Sequence, residues 1–244
     1  MTIDINCDVG EGLDNEAVLL PYISTCNIAC GAHAGDEETM RKVLRLAKKH
    51  NVKAGAHPSY PDRENFGRTV MNMEMDALSD TVYKQILKIL AIAGEEGISL
   101  YHTKPHGALY NEAARNENVA KAVIDAIKRL DIKIKLMAPF DSVIARLAEE
   151  NGIEMVYEAF ADRNYNEDLS LVSRKQPNAL LHQPEQILEH VLRMVRDGEV
   201  KTITGEKIKI KADSFCIHGD NENAIAILKF LIDKLPGHSI EVLK

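Results

Sequence analysis

Tryptophan is absent from the 244 residues, which hold only five phenylalanines and seven tyrosines. No stretch interleaves aromatics with a stripe of lysine or arginine, and the net charge is −7. No nucleic-acid partner is expected of such a chain. Long apolar runs are missing as well. The longest, around Ile86–Ala93, is interrupted by Lys88, whereas a membrane span needs about 20 apolar residues, so no membrane association is expected. The start, Met-Thr-Ile-Asp-Ile-Asn, has neither the cationic nor the apolar region of a secretory signal, and the expected compartment is the cytoplasm. The cysteines are few (Cys7, Cys26, Cys30 and Cys216) and lie in apolar strand-like runs, which suits buried thiols better than a disulfide frame. Cys26 and Cys30 have no second Cys/His pair at finger spacing. No dinucleotide glycine fingerprint or P-loop follows any strand, and no HExxH or HxxxH pair lies on one helix.

What is present is a globular composition, 45% hydrophobic and 27% charged, and an alternation of strand and helix patterns. Strands are expected at 2–8, 22–30, 52–56, 99–104, 134–138, 154–159, 214–218 and 239–243. Helices are expected from an Asp36 cap, with Glu37 and Glu38 in the first turn, to about Lys49, from a Ser79 cap to about Glu96, from Glu117 to Leu130, from an Asp141 cap to Glu150, from Pro184 to Asp197-Gly198, and over Asn221–Leu235. Residues 160–181 read as a long polar loop. Val200–Lys211 alternates with period two around Gly-Glu, which predicts an added β-hairpin. About seven strand–helix units without a linker predict an α/β fold, a TIM-like (β/α)7 barrel formed by residues 1–244 as one domain.

Active sites of such barrels form at the C-terminal ends of the strands. Five of the nine histidines (His33, His57, His102, His106, His218) fall there. In the decapeptide Tyr101–Tyr110, strand alternation puts His102 and Lys104 on one side. In the first strand, Ile3, Ile5 and Cys7 take the face under the helices, and Asp4, Asn6 and Asp8 take the lumen, where acids need hydrogen bonds or cations. Asp8 is therefore the first candidate for a general base or for the orienter of one. Asp8, His33 and His57 could also form a divalent-metal trio by tertiary convergence. Lys104 suits an anionic group as a point charge, and Arg163 could clamp a carboxylate. Asn6, Glu11, Asn27, Arg68, His102, Asp162, Arg163, Tyr165 and Asp220 are the candidate substrate contacts.

The segments Asp4–Gly12 (DINCDVGEG), Cys26–Asp36 (CNIACGAHAGD), Gly55–Asp62 (GAHPSYPD) with Phe66-Gly67-Arg68, His102–Asn111 (HTKPHGALYN), Glu158–Tyr165 (EAFADRNY) and Cys216–Asp220 (CIHGD) together resemble the LamB/YcsF family, in the family's order and over nearly the whole chain. Small departures, at Ala32, Ser59, Thr25-Cys26-Asn27 and Asn166–Leu171, bear on pocket shape and remove no candidate catalytic group. The resemblance implies a seven-stranded barrel related to polysaccharide deacetylases. It further implies ATP-dependent opening of 5-oxo-L-proline to L-glutamate, with ADP and phosphate released, in a complex with the two other 5-oxoprolinase subunits, B and C. ATP, with Mg2+, would be a co-substrate. In that chemistry Asp8 would be base or orienter, His33 and His57 would bind and polarise the substrate, Lys104 would neutralise phosphoryl charge, and His106 or His218 would move protons. A bound divalent metal is left open. Two rival readings stand beside this one: a stand-alone metal-dependent amide or ester hydrolase, and a non-catalytic subunit that binds the lactam.

Overall fold

Alternation along the first strand sets the plan of the molecule. In the computed structural model, which describes residues 1–221 and 223–244, β1 (Thr2–Val9) packs Ile3, Ile5 and Cys7 into the apolar layer and turns Asp4, Asn6 and Asp8 to partners inside a barrel. After a short helix α1 (Glu16–Leu19) and a 3-10 turn come β2 (Thr25–Ala29), α2 (Glu37–Lys49), β3 (Lys53–His57), α3 (Met75–Glu95), β4 (His102–Thr103), α4 (Gly107–Arg115), α5 (Glu117–Lys128), β5 (Lys135–Pro139), α6 (Val143–Glu150), β6 (Met155–Phe160), α7 (Pro184–Asp197), β7 (Glu199–Lys201), β8 (Lys207–Lys209), β9 (Ser214–Cys216), α8 (Ala224–Lys234) and β10 (Glu241–Val242).

The strands pair in parallel in the order β1-β2-β3-β4-β5-β6-β9, and β9 returns to β1, closing a seven-stranded α/β barrel of the TIM-like kind. β10 takes only the foot of β1, pairing Thr2 with Glu241, below the point where Asp4 meets Ser214 of β9. The expected hairpin is present as the antiparallel pair β7 and β8. Helices cover the barrel through apolar stripes. In α2 the buried residues Met40, Val43, Leu44 and Ala47 recur at helical spacing. Among the described residues, no helix is long and apolar enough to cross a membrane.

Register explains one glycine. Asp8, Asn27, Gly55 and His102 lie side by side across β1 to β4. A Cβ on Gly55 would fall 2.0 Å from Cε1 of His102. The missing side chain is what lets the His102 ring cross β3 and reach Asn27, 2.6 Å away.

Several boundaries differ from the sequence expectation. The second strand starts at Thr25 rather than at 22, because Pro21 places Leu20–Tyr22 in a 3-10 turn. Ser79 is not a cap; α3 begins four residues earlier, at Met75, and Ser79 is buried within it. Ser142, not Asp141, caps α6, its Oγ accepting from the Ala145 amide at 3.3 Å, while Asp141 takes a left-handed φ of 57°. The fourth strand shortens to two residues, and α4 starts directly behind it, where Gly107 (φ 55°) lies against the Gly67 carbonyl. The terminal helix begins at Ala224; Glu222, within the span expected for it, lies outside the described residues.

The α2 cap does agree with expectation: Asp36 accepts from the Thr39 amide at 2.8 Å, with Glu37 and Glu38 in the first turn. Asp36→Ala is expected to cost about 1 kcal/mol, a fall in Tm of roughly 2–4 °C for a chain of this size. A thermal melt followed by circular dichroism checks it; an unchanged Tm would mean the cap contributes nothing.

Candidate active site at the mouth of the barrel

The lumen fills from its floor upward with polar side chains that satisfy one another. Asp4 accepts from Thr25 Oγ1 (2.6 Å) and Ser214 Oγ (2.5 Å), and burial raises its pKa. Above it, Asn6 donates to Ser214 Oγ at 2.9 Å, and Asn27 Nδ2 donates to Asn6 Oδ1 and Asp8 Oδ1, both at 2.8 Å. His102 donates from Nε2 to Asn27 Oδ1, and burial beside the Lys104 charge pushes its pKa down to about 3. Asn6, Asn27 and His102 are thus spent on one another beneath the mouth, and each is fully buried.

One layer higher, Lys104 Nζ lies 3.0 Å from Asp8 Oδ1 and 2.8 Å from Glu158 Oε1, and its side chain is 3% exposed. Burial opposes its charge, but Asp8, Cys216 and Glu158 outweigh it and hold the ammonium well above its usual pKa. Burial likewise pushes the Asp8 carboxyl up, and His57 and Lys104 overcome it, keeping Asp8 well below the usual carboxylate range. Lys104 is therefore no free cation awaiting an external phosphate. Its charge is taken by two carboxylates of its own chain, and it anchors Asp8 with Oδ2 turned toward His57, 3.4 Å away.

At the mouth, β1, β2, β3 and β4 deliver Glu11, His33, His57 and His106 from the loops and tips that follow them. Their donor atoms all lie within 4.8 Å of one another. His33 and His106 stack face to face, with centroids 3.8 Å apart and planes within 3°. Gly67, at φ 64°, presses its backbone against both: a Cβ there would lie 3.0 Å from His33 Cβ and 3.1 Å from His106 Cδ2. Burial and the neighbouring His57 push His33 down to about 3, and burial with His57 and His33 pushes His106 down to about 2. Burial and the Asp8 charge lift Glu11 to about 7. The metal trio expected from the sequence is Asp8 with His33 and His57. In the structure the converging set is Glu11, His33, His57 and His106, and Asp8 stands behind it, tied to Lys104 and Asn27.

The rest of the rim divides into groups facing the opening and groups holding loops. Asp162 is buried and accepts from both Nδ1 (2.8 Å) and the backbone amide (3.1 Å) of His218, whose ring stacks on Phe160. Burial raises the Asp162 pKa and His218 more than reverses it. Arg68 and Arg174 both reach Asp220 Oδ2, at 2.9 and 3.1 Å, joining the loops after β3, β6 and β9. Asp162, Arg174, His182, His218, Asp220 and Asn223 line a cleft of about 220 Å³ beyond the ends of β6 and β9. Arg163 does not face it: this buried side chain donates to the carbonyls of Val172 (2.6 Å) and Ala179 (3.4 Å), fastening the 160–181 loop, and offers no clamp to a carboxylate. Tyr165 is buried as well, its hydroxyl accepting from the Phe160 amide at 2.7 Å.

Sequence reasoning passed over Glu158, Ser59 and Arg174. Glu158 sits at an inward strand position opposite Lys104, a signal that alternation could have supplied. Arg174 lies in a loop and nothing local marks it; Ser59, also in a loop, stands out only as a departure bearing on pocket shape.

A LamB/YcsF family sequence profile matches residues 3–244. The 5-oxoprolinase A subunit of Haemophilus influenzae (strain PittEE) is 40% identical over 240 residues, covering 98% of each chain. The protein of the same name from Thermococcus sibiricus (strain DSM 12597 / MM 739) is 43% identical over 249 residues, covering 99% of this chain and 97% of its own. Among solved structures, the lactam utilization protein from Thermus thermophilus superposes with a TM-score of 0.93 at 34% identity, over 100% of this chain and 99% of that one. Profile, identity and coverage agree from end to end: the chain belongs to the LamB/YcsF family.

Proposed function

We propose that this chain is the A subunit of an ATP-dependent 5-oxoprolinase, which opens 5-oxo-L-proline to L-glutamate while ATP becomes ADP and phosphate. The observation that carries the reading is an ionised, pre-aimed carboxylate, Asp8, beside a histidine cluster at the mouth of a barrel whose full-length relatives bear that name. A five-membered lactam is a poor electrophile. Phosphorylation of its carbonyl oxygen by ATP makes the ring carbon open to water. The ring C–N bond then breaks, the nitrogen takes a proton, and the acyl phosphate left at that carbon is cleaved by a second water to the carboxylate and inorganic phosphate.

In this scheme Asp8 Oδ2 removes the proton from the attacking water, with Lys104 keeping the carboxyl ionised and its orientation set. His218, oriented by Asp162 as a base is oriented in other acid–base pairs, delivers the proton to the departing nitrogen. Arg68 at the rim, 48% exposed, meets the substrate carboxylate by exchanging its bond to Asp220. No P-loop is present in the sequence, so ATP, with its Mg2+, is read as held where this chain meets the B and C subunits.

The test is glutamate formation from 5-oxoproline and ATP. Turnover is expected with all three subunits and not with this chain alone; no glutamate from the complete mixture overturns the proposal. A second reading, a stand-alone metal-dependent hydrolase, has the Glu11–histidine cluster behind it, and it predicts glutamate from this chain without ATP or partners.

A further inference from the structure

The hydrogen bonds around the cluster decide where its histidines carry their protons. His57 Nδ1 is 2.7 Å from the Lys104 carbonyl, which can only accept, so this nitrogen bears the hydrogen. His106 Nε2 is 2.9 Å from the Phe66 carbonyl, and the same holds. His33 Nδ1 is 3.0 Å from Ser59 Oγ, whose own hydrogen goes to the Tyr60 carbonyl at 2.8 Å; Ser59 must therefore accept, and His33 donates from Nδ1. The ring nitrogens not spent on these bonds are His33 Nε2, His57 Nε2 and His106 Nδ1, and all three face inward.

What they face is more lone pairs. His57 Nε2 and His106 Nδ1 are 2.9 Å apart. Glu11 Oε1 lies 3.1 Å from His33 Nε2, 3.4 Å from His106 Nδ1 and 4.0 Å from His57 Nε2. Asp8 Oδ2 stands 3.4 Å from His57 Nε2. Without a metal, protons on Glu11 and on one of the imidazoles have to bridge these contacts. One cation held by all four atoms satisfies them together, and their donor atoms lie within 4.8 Å of one another. Buried imidazoles whose outer N–H groups are tied to carbonyls or hydroxyls are how proteins aim metal ligands.

We propose that Glu11 Oε1, His33 Nε2, His57 Nε2 and His106 Nδ1 bind one divalent transition-metal ion, Zn2+ before others. Three imidazole nitrogens and one carboxylate oxygen suit zinc rather than Mg2+ or Ca2+, which prefer oxygen alone. Bonds of about 2.1 Å to a tetrahedral ion would separate its ligands by roughly 3.4 Å, within the spread of the distances above. Ser59, Lys104 and Phe66 supply the second layer, and Gly67 clamps the two stacked rings. Nothing in this depends on the lactam reaction; metal binding and glutamate formation can fail separately.

The full chain, stripped with a chelator and dialysed, is titrated with Zn2+ in a calorimeter and with Co2+ by visible absorption. One ion per chain is expected, with the strong absorption of tetrahedral Co2+. Glu11→Gln and His106→Ala should each weaken Zn2+ binding at least about 100-fold, and Ser59→Ala, which frees the His33 tautomer, about 10-fold. His50→Gln, at the far end of α2, should leave it unchanged. Should His106→Ala fail to fold, Glu11→Gln and Ser59→Ala keep the test open. No saturable binding, or binding that survives Glu11→Gln and Ser59→Ala, overturns the site.

Discussion

Lys104→Met is expected to remove about 3–5 kcal/mol of folding stability, the usual cost of breaking a buried ion pair from one side, and for a chain of this size to lower Tm on the order of 10 °C. The side chain is almost wholly inaccessible, and its ammonium is shared by Asp8 and Glu158. Methionine fills the space but leaves two carboxylates in the lumen with no cation, so the loss is larger than that of a surface pair, about 0–1 kcal/mol. Adding Glu158→Gln should recover part of it by removing one of the stranded charges. The same pair sets an acid limit. Asp8 has a folded-state pKa below the unfolded value, so its contribution is present above about pH 4 and is lost as pH falls through the folded value. In Lys104→Met the carboxyl loses its ammonium neighbour, and acid unfolding should start at higher pH. Denaturant titrations across pH measure both effects. A loss below about 1 kcal/mol would show that the lumen re-solvates the carboxylates, and the anchoring role of Lys104 would be wrong.

On the proposed 5-oxoprolinase reading, Asp8→Asn is expected to lower turnover of the assembled three-subunit enzyme by about 10²–10⁴-fold, the range for removing a general base. Asparagine keeps an oxygen for Lys104 and for the Asn27 amide, so the fold and the assembly should persist. What it cannot do is take a proton from water. The expected signature is a fall in kcat with little change in KM, since in the proposed scheme the 5-oxoproline carboxylate meets Arg68 on the rim. Turnover within about threefold of the parent would remove Asp8 from the base role and leave it as a counter-ion for Lys104.

Much of the plan was legible in residue order. Alternation in β1 placed Asp4, Asn6 and Asp8 inside and Ile3, Ile5 and Cys7 outside, and the structure has them so. The Asp36 cap, the hairpin after α7 and the histidines gathered at the ends of parallel strands are likewise local patterns. The errors were of two kinds. The cap of α6 was placed one residue early, at Asp141, where backbone φ and the Ser142–Ala145 hydrogen bond put it at Ser142. Polar side chains were credited with facing a ligand when they face their own chain: Lys104 toward Glu158, Arg163 toward the Val172 carbonyl, Tyr165 toward the Phe160 amide.

By itself, then, the sequence determined the element types, the inward and outward faces, and which strand ends carry chemistry, because periodicity and capping act over a few residues. Only the closed barrel decided which charge neutralises which. Lys104 lies 54 residues from Glu158 and 96 from Asp8 in the chain, and their pairing follows from strand register around the ring. The convergence of three histidine nitrogens on Glu11 has the same origin. A histidine's tautomer is set by the acceptor its other nitrogen meets, and here those acceptors are Lys104, Phe66 and Ser59, brought from three different loops and strand ends by the fold.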